Sequence, residues 1–192
     1  MVSRKLAVSP NSRANEIHKV RKHLEISVEK SIESKRPIIL LLGPKIDGDD
    51  DASALRRQLK ELIWGMGVPV FAEHDEMLEV AATKLQDLSN LTRLELHIAR
   101  KANLIVLIPA SPGSFAELGL FAQQDAICPR LIVLFDKRFR ENGESYILSG
   151  PRKAARERKA ETPFVNYRDI DSVWKRIRQS IRRAQAQMAD IG

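Results

Sequence analysis

The chain has 192 residues, a length that suits one domain with room for a real core. Hydrophobic residues make up 43% and aromatics only 5%, so that core is expected to be aliphatic. A lone cysteine, Cys128, excludes a disulfide framework and a cysteine-rich zinc site; no run has the length of a membrane span or a signal h-region, so a soluble, cytoplasmic protein is expected.

Net charge is +7 and unevenly spread. Residues 1–36 carry nine basic and four acidic side chains, residues 37–136 nine and fourteen, and residues 137–192 fourteen and seven. An acidic middle between basic flanks fits either attraction of a polyanion such as nucleic acid or solvated helix faces.

In chain order, residues 1–12 read as a loose tail. Between Arg13 and Ser34, Ile17, Val20, Leu24, Val28 and Ile32 recur at steps of three and four, the mark of an amphipathic helix. Ile38–Leu42 is a continuous aliphatic run suited to a strand covered on both faces, ended by Gly43-Pro44. A helix over 54–66 follows, capped by Asp51 or Ser53, with Leu55, Leu59, Leu62 and Ile63 on its apolar side. Gly67 closes it, and Val68–Phe71 is a short strand.

Residues 81–102 fit one or two helices before a strand at Leu104–Ile108. A Ser111-Pro112-Gly113-Ser114 turn opens the helix that carries Glu117. Leu131–Phe135 is a further strand, residues 137–161 are basic and partly helical with a turn at Ser149-Gly150-Pro151, and Phe164-Val165 is a last strand. A helix over 170–189 places Val173, Ile177, Ile181 and Met188 on one side. Apolar strands alternating with helices predict an α/β fold: a doubly wound, mainly parallel sheet of about five strands with helices on both faces.

In such folds ligands bind beyond the carboxyl ends of the strands. Those exits read Gly43, then Glu73-His74-Asp75, then Ser111–Ser114, then Asp136. A strand, a glycine turn and a helix N-terminus form a natural anion site. Glu117, expected in the first turn of that helix, stands beside it. Ser114-Phe115-Ala116-Glu117 also has the Ser-x-x-Glu spacing of a capping box, and spacing alone does not separate capping from catalysis.

Gly43 to Asp51 lacks the Gly-Lys-Ser/Thr ending of a phosphate loop and the alternating acids of a calcium loop. It reads as an acidic turn at a helix N-terminus. His18, His23, His74 and His97 lack metal-ligand spacing, and no metal or cofactor is expected. Cys128 reads as a buried, inert thiol. Arg152, Lys153, Arg156, Arg158 and Lys159 fit either a clamp for phosphate or nucleic acid, or a solvated helix face.

Residues 104–121, centred on Ser111-Pro112-Gly113-Ser114-Phe115-Ala116-Glu117-Leu118-Gly119, resemble nucleoside 2-deoxyribosyltransferase-like enzymes, and among them the N-glycosidase toxin effectors of bacterial retron anti-phage systems. Ile39–Gly43, Phe71 with Asp75, and Asp136-Lys137-Arg138-Phe139 support the likeness, and Ser145–Arg152 matches less closely. It spans roughly residues 37–165.

The resemblance implies a glycosidase acting on a nucleotide or NAD, with Glu117 as the catalytic glutamate. Asp75 would bind the base or assist its departure, and Gly43, Ser111, Gly113, Ser114, Asp136 and Arg152 would bind substrate. It further implies a homo-oligomer and a partnership with a reverse transcriptase and its DNA–RNA product. Effectors of this kind often continue into a C-terminal DNA-binding-like domain, whereas this sequence ends in a basic helix, so the basic flanks are the candidate contact. The chain then divides into a tail and basic helix (1–36), a catalytic domain (37–168) and a C-terminal basic helix packed on it (169–192). A non-catalytic nucleotide sensor and a nucleic-acid-binding adaptor are the alternatives.

Overall fold

A computed structural model of the chain describes residues 36–66, 70–71, 91–141 and 145–190. The expected N-terminal helix, Glu73, His74 and Asp75 lie outside them. The elements are β1 (Ile39–Leu42), α1 (Asp51–Gly65), β2 (Val70–Phe71), α2 (Leu91–Lys101), β3 (Leu104–Leu107), α3 (Pro112–Phe121), β4 (Leu131–Val133), β5 (Phe135–Asp136), α4 (Lys153–Glu157), β6 (Phe164–Val165) and α5 (Ile170–Ala189).

Four strands form a parallel sheet in the order β2-β1-β3-β4. Its two central strands pair in register from Ile39 opposite Leu104 to Leu42 opposite Leu107. β5 and β6 make a separate two-stranded parallel sheet. The single five-stranded sheet expected from sequence is therefore found as two smaller ones joined through residues 131–136. There, Leu134 donates its amide to Leu107 O on one side (2.9 Å), while Val133 and Phe135 donate to Glu161 O (2.8 Å) and Pro163 O (3.0 Å) on the other. Pro163 has no amide to return, which interrupts that outer ladder.

The continuous apolar runs have a direct cause. Successive side chains of a strand point to opposite faces, and here both faces are covered. Leu40, Leu42, Ile105, Leu107, Leu131 and Val133 pack into one core with residues of α2, α3 and α4. Ile39, Leu41, Leu104, Val106, Ile108 and Ile132 pack into the other with α1 and α5. Helices thus lie on both sides of the parallel sheet.

Helix α1 begins at Asp51, and its N-cap is neither Asp51 nor Ser53 but Asp50. Asp50 Oδ1 accepts from the Ala52 and Ser53 amides at 2.9 and 3.0 Å, and Ser53 Oγ donates to Asp50 Oδ2 at 2.6 Å. Leu62 is exposed rather than on the apolar side, because it falls outside the buried stripe of Ala52, Leu55, Leu59 and Ile63. The expected turn at 149–151 is instead a widened π turn, Leu148–Arg152, leading into α4. Pro151 lacks an amide and its ring crowds the carbonyl four residues back; the wider turn relieves both conflicts.

Candidate functional site

From β1 the chain passes to β2 on one side and then crosses back to β3 on the other. This reversal of strand order makes the crevice beyond the carboxyl ends of β1 and β3 the place where ligands bind in such sheets. Gly43 and the turn before α3 flank it.

At the β3 exit, Ser111 is the N-cap and Pro112 the first helical residue, a place where proline's missing amide costs nothing. Ser111 Oγ accepts from the Ser114 amide (3.3 Å) and donates to Ser114 Oγ (3.0 Å). Ser114 Oγ in turn accepts from the amides of Ser111 (2.8 Å) and Ala110 (3.0 Å) and donates to Ser111 O (2.9 Å). The capping box is therefore Ser111 with Ser114. The sequence spacing had suggested Ser114 with Glu117, three residues too late. The first turn of α3 contains no acid, so Glu117 sits in the second turn.

Glu117 follows Ser114 by three residues and precedes Phe121 by four, and both of these face the core. This spacing puts Glu117 on the shoulder of the inward stripe. Its side chain is half-buried and its Oε2 is shielded from solvent. Glu117 stands about one helical turn beyond Gly113 and Ser114 in α3. Gly113 faces open space: a Cβ built on it would touch nothing within 4 Å. Its amide, at the second helical position, comes before the first amide to donate within the helix, that of Phe115 to Ser111 O.

Gly43 is set by a close approach. Its φ is +152°, and a Cβ there would stand 3.0 Å from Ile108 Cβ and 3.2 Å from Ile108 O. Beneath it lies a residue that sequence reasoning passed over, Arg56, which is 4% exposed. Its Nη1 donates to Gly43 O (3.0 Å) and Pro44 O (2.6 Å), and its Nη2 to Leu41 O (3.2 Å). Arg56 thereby ties the β1 exit to α1. The available signal was its position on the apolar stripe of that helix, where a charge needs partners.

Asp136, at the end of β5, is buried and held by Arg138. Its Oδ1 accepts from the Arg138 amide (2.9 Å) and its Oδ2 from Arg138 Nε (2.9 Å) and Nη2 (2.6 Å). Burial alone would raise its pKa, but the Arg138 bonds hold it below the usual carboxylate range. Arg152 lies against β6. Its guanidinium is 4.3 Å from the Phe164 ring centroid, and Nη2 donates to Thr162 O (3.2 Å). Phe115, Phe139, Phe135 and Phe164 form a chain of ring contacts at 6.0–6.2 Å that connects α3 to this arginine.

The structure thus sets Gly43 and the Ser111–Ser114 turn at the exits of the adjacent strands β1 and β3, with Glu117 in the second turn of the helix that follows. Asp136 ends β5 of the neighbouring two-stranded sheet, Arg152 closes the π turn and stacks on Phe164 of β6, and Asp75 lies outside the described residues. Cys128 is buried, its thiol donating to Phe121 O at 3.2 Å and pushed up in pKa by burial. Among the described residues no group of three or more His, Cys, Asp or Glu side chains could hold a metal ion. No helix among them is long and apolar enough to cross a membrane.

Residues 56–190 match the family model of the STM3845 retron effector protein. The chain belongs to this retron effector family. The match runs from α1 to α5 and includes Glu117, Asp136 and Arg152, whereas Gly43 precedes it. This retron effector is also 32% identical over 103 residues to an Escherichia coli protein named "Retron Ec86 putative ribosyltransferase/DNA-binding protein". That similarity covers 53% of this chain and 33% of the relative, so the chain matches about a third of the relative's length.

Proposed function

We propose that this retron effector cleaves the N-glycosidic bond of a nucleotide or NAD, as a toxin in anti-phage defence, with Glu117 as its catalytic carboxylate. The observation that carries the reading is the division of labour at α3. Ser111 and Ser114 close the helix N-terminus between themselves, which leaves Glu117, half-buried in the second turn of α3, outside the cap. The relative named a ribosyltransferase supports the same class of chemistry.

The transition state of such a reaction is oxocarbenium-like at the anomeric carbon. A Glu117 oxygen would attack that carbon as its bond to the base nitrogen breaks, the bonding electrons leaving with the base. Water would then replace the carboxylate at the anomeric carbon, losing its proton and restoring Glu117. Nicotinamide departs neutral without a proton, whereas a purine or pyrimidine needs one supplied; Asp75 is the proposed group for holding or assisting that base. The Gly113 amide and the α3 dipole would receive a phosphate or sugar hydroxyl.

A reverse transcriptase with its DNA–RNA product, and further copies of the chain, are the proposed partners. The test is incubation with NAD and a panel of nucleotides and deoxynucleotides, with chromatographic detection of free base. Release by the native chain and its loss in Glu117→Gln, with ligand binding retained, support the reading. Absence of release from every substrate, or equal release by the variant, would overturn it.

A further inference from the structure

A second concave feature lies along the π turn and α4. A cleft of about 480 Å³ is lined by Leu148, Arg152, Lys153, Arg156 and Glu157, a size within the small-molecule range. Three of its five lining residues are cations and one is an acid. Arg152 is fixed in place by its stacking on Phe164 and its bond to Thr162 O. Lys153 and Arg156 are exposed, and among the described residues neither has an ion-pair or side-chain hydrogen-bond partner. The α-helical rise sets Arg152 and Arg156, four residues apart, on one face about 6 Å apart along the axis.

Arg152 feels the burial of its guanidinium first and then the like charge of Arg156, both acting to lower its pKa. Like charges held side by side are relieved by an anion between them. A planar guanidinium offers paired donors to phosphate oxygens, and a lysine beside it adds a point charge. Leu148, one turn before Arg152, gives the cleft an apolar edge suited to a base or sugar.

We infer that this cleft binds the diphosphate group of a small phosphorylated molecule, with Arg152 as its fixed donor and Lys153 and Arg156 as closing cations. The cleft's concave form favours a small molecule over an extended strand. The inference does not depend on Glu117 acting as a catalyst.

Inorganic pyrophosphate is the probe, titrated calorimetrically into the full chain near physiological salt. The native chain and Glu117→Gln are expected to bind it at one saturable site. The double variant Lys153→Gln/Arg156→Gln changes only exposed side chains and is expected to weaken binding by about tenfold or more. Arg178→Gln/Arg182→Gln, which removes equal charge from the exposed face of α5, is expected to leave it unchanged. Equal weakening by both double variants would show attraction to net charge alone and overturn the inference, as would absence of binding. Displacement of pyrophosphate by a single-stranded oligonucleotide, through the same two residues, would assign the cleft to nucleic acid instead and overturn it too.

Discussion

Ser114 Oγ accepts the Ser111 amide at 2.8 Å while Ser111 Oγ accepts the Ser114 amide at 3.3 Å. The two serines close the start of α3 reciprocally. Because Ser114 is 1% exposed, its hydroxyl is a buried acceptor for the Ala110 and Ser111 amides, and its removal takes a partner from both. Ser114→Ala is expected to cost roughly 2 kcal/mol, more than the roughly 1 kcal/mol of a lost N-cap in Ser111→Ala. Urea unfolding of the two variants checks the order. A larger loss in Ser111→Ala would contradict it.

The β1 exit is held from two sides. Gly43→Ala must place a Cβ 3.0 Å from Ile108 Cβ at φ +152°, and about 2 kcal/mol or more of destabilisation is expected. Arg56→Met keeps the length of the side chain but removes the donors to Leu41, Gly43 and Pro44. Leaving buried carbonyls without these donors is expected to cost roughly 2–4 kcal/mol. Both losses are read from urea midpoints. Near-native stability in either variant would show that the β1–β3 crossing is looser than this geometry.

How much of this could be read in the chain depends on the range of the interaction. The strands at 39–42, 104–107 and 131–136 were legible because runs buried on both faces are continuously apolar, and the 170–189 helix because its buried positions recur at helical spacing. The helix starts were less so: Asp50, Asp51 and Ser53 are all good caps, and only their backbone geometry selects Asp50. At α3 a local signal existed, since Pro112 favours the first helical position and so points to Ser111 as the cap. Gly43 was chosen as a site residue on its place at a strand exit. Its requirement for glycine comes from Ile108, 65 positions later, which no local pattern reveals. The break in the outer ladder likewise depends on Pro163, whose carbonyl accepts the Phe135 amide and which has no amide of its own to give back.

Asp136 makes acid stability sensitive to one carboxylate. Its folded pKa is lowered, so the native state holds fewer protons there than the unfolded chain. The stability it contributes is fully present above the unfolded aspartate value of about 3.9 and is lost as pH falls through the lower folded value. Asp136→Asn should therefore show a smaller decline in urea midpoint between pH 5 and pH 2.5 than the native chain. An unchanged decline would mean that the Arg138 pairing does not persist in solution.

Tyr167 sets a matching limit on the alkaline side. It is 4% exposed, and its hydroxyl donates to Leu134 O at 2.7 Å, at the junction between the two sheets. Burial, and secondarily the Asp136 charge, push its phenol well above the ordinary value. The folded state therefore keeps a proton that the unfolded chain releases above about pH 10. Stability from this group is complete below that pH and falls as pH rises towards the folded value. Tyr167→Phe is expected to lose roughly 1–2 kcal/mol at neutral pH, from the bond to Leu134 O. Above pH 10 the gap between variant and native chain should narrow, because phenylalanine carries no proton to lose. Urea midpoints for both proteins at pH 7 and pH 10.5 measure that gap. A gap that stays constant would place the Tyr167 hydroxyl in contact with solvent and remove it as a tie at the junction between the two sheets.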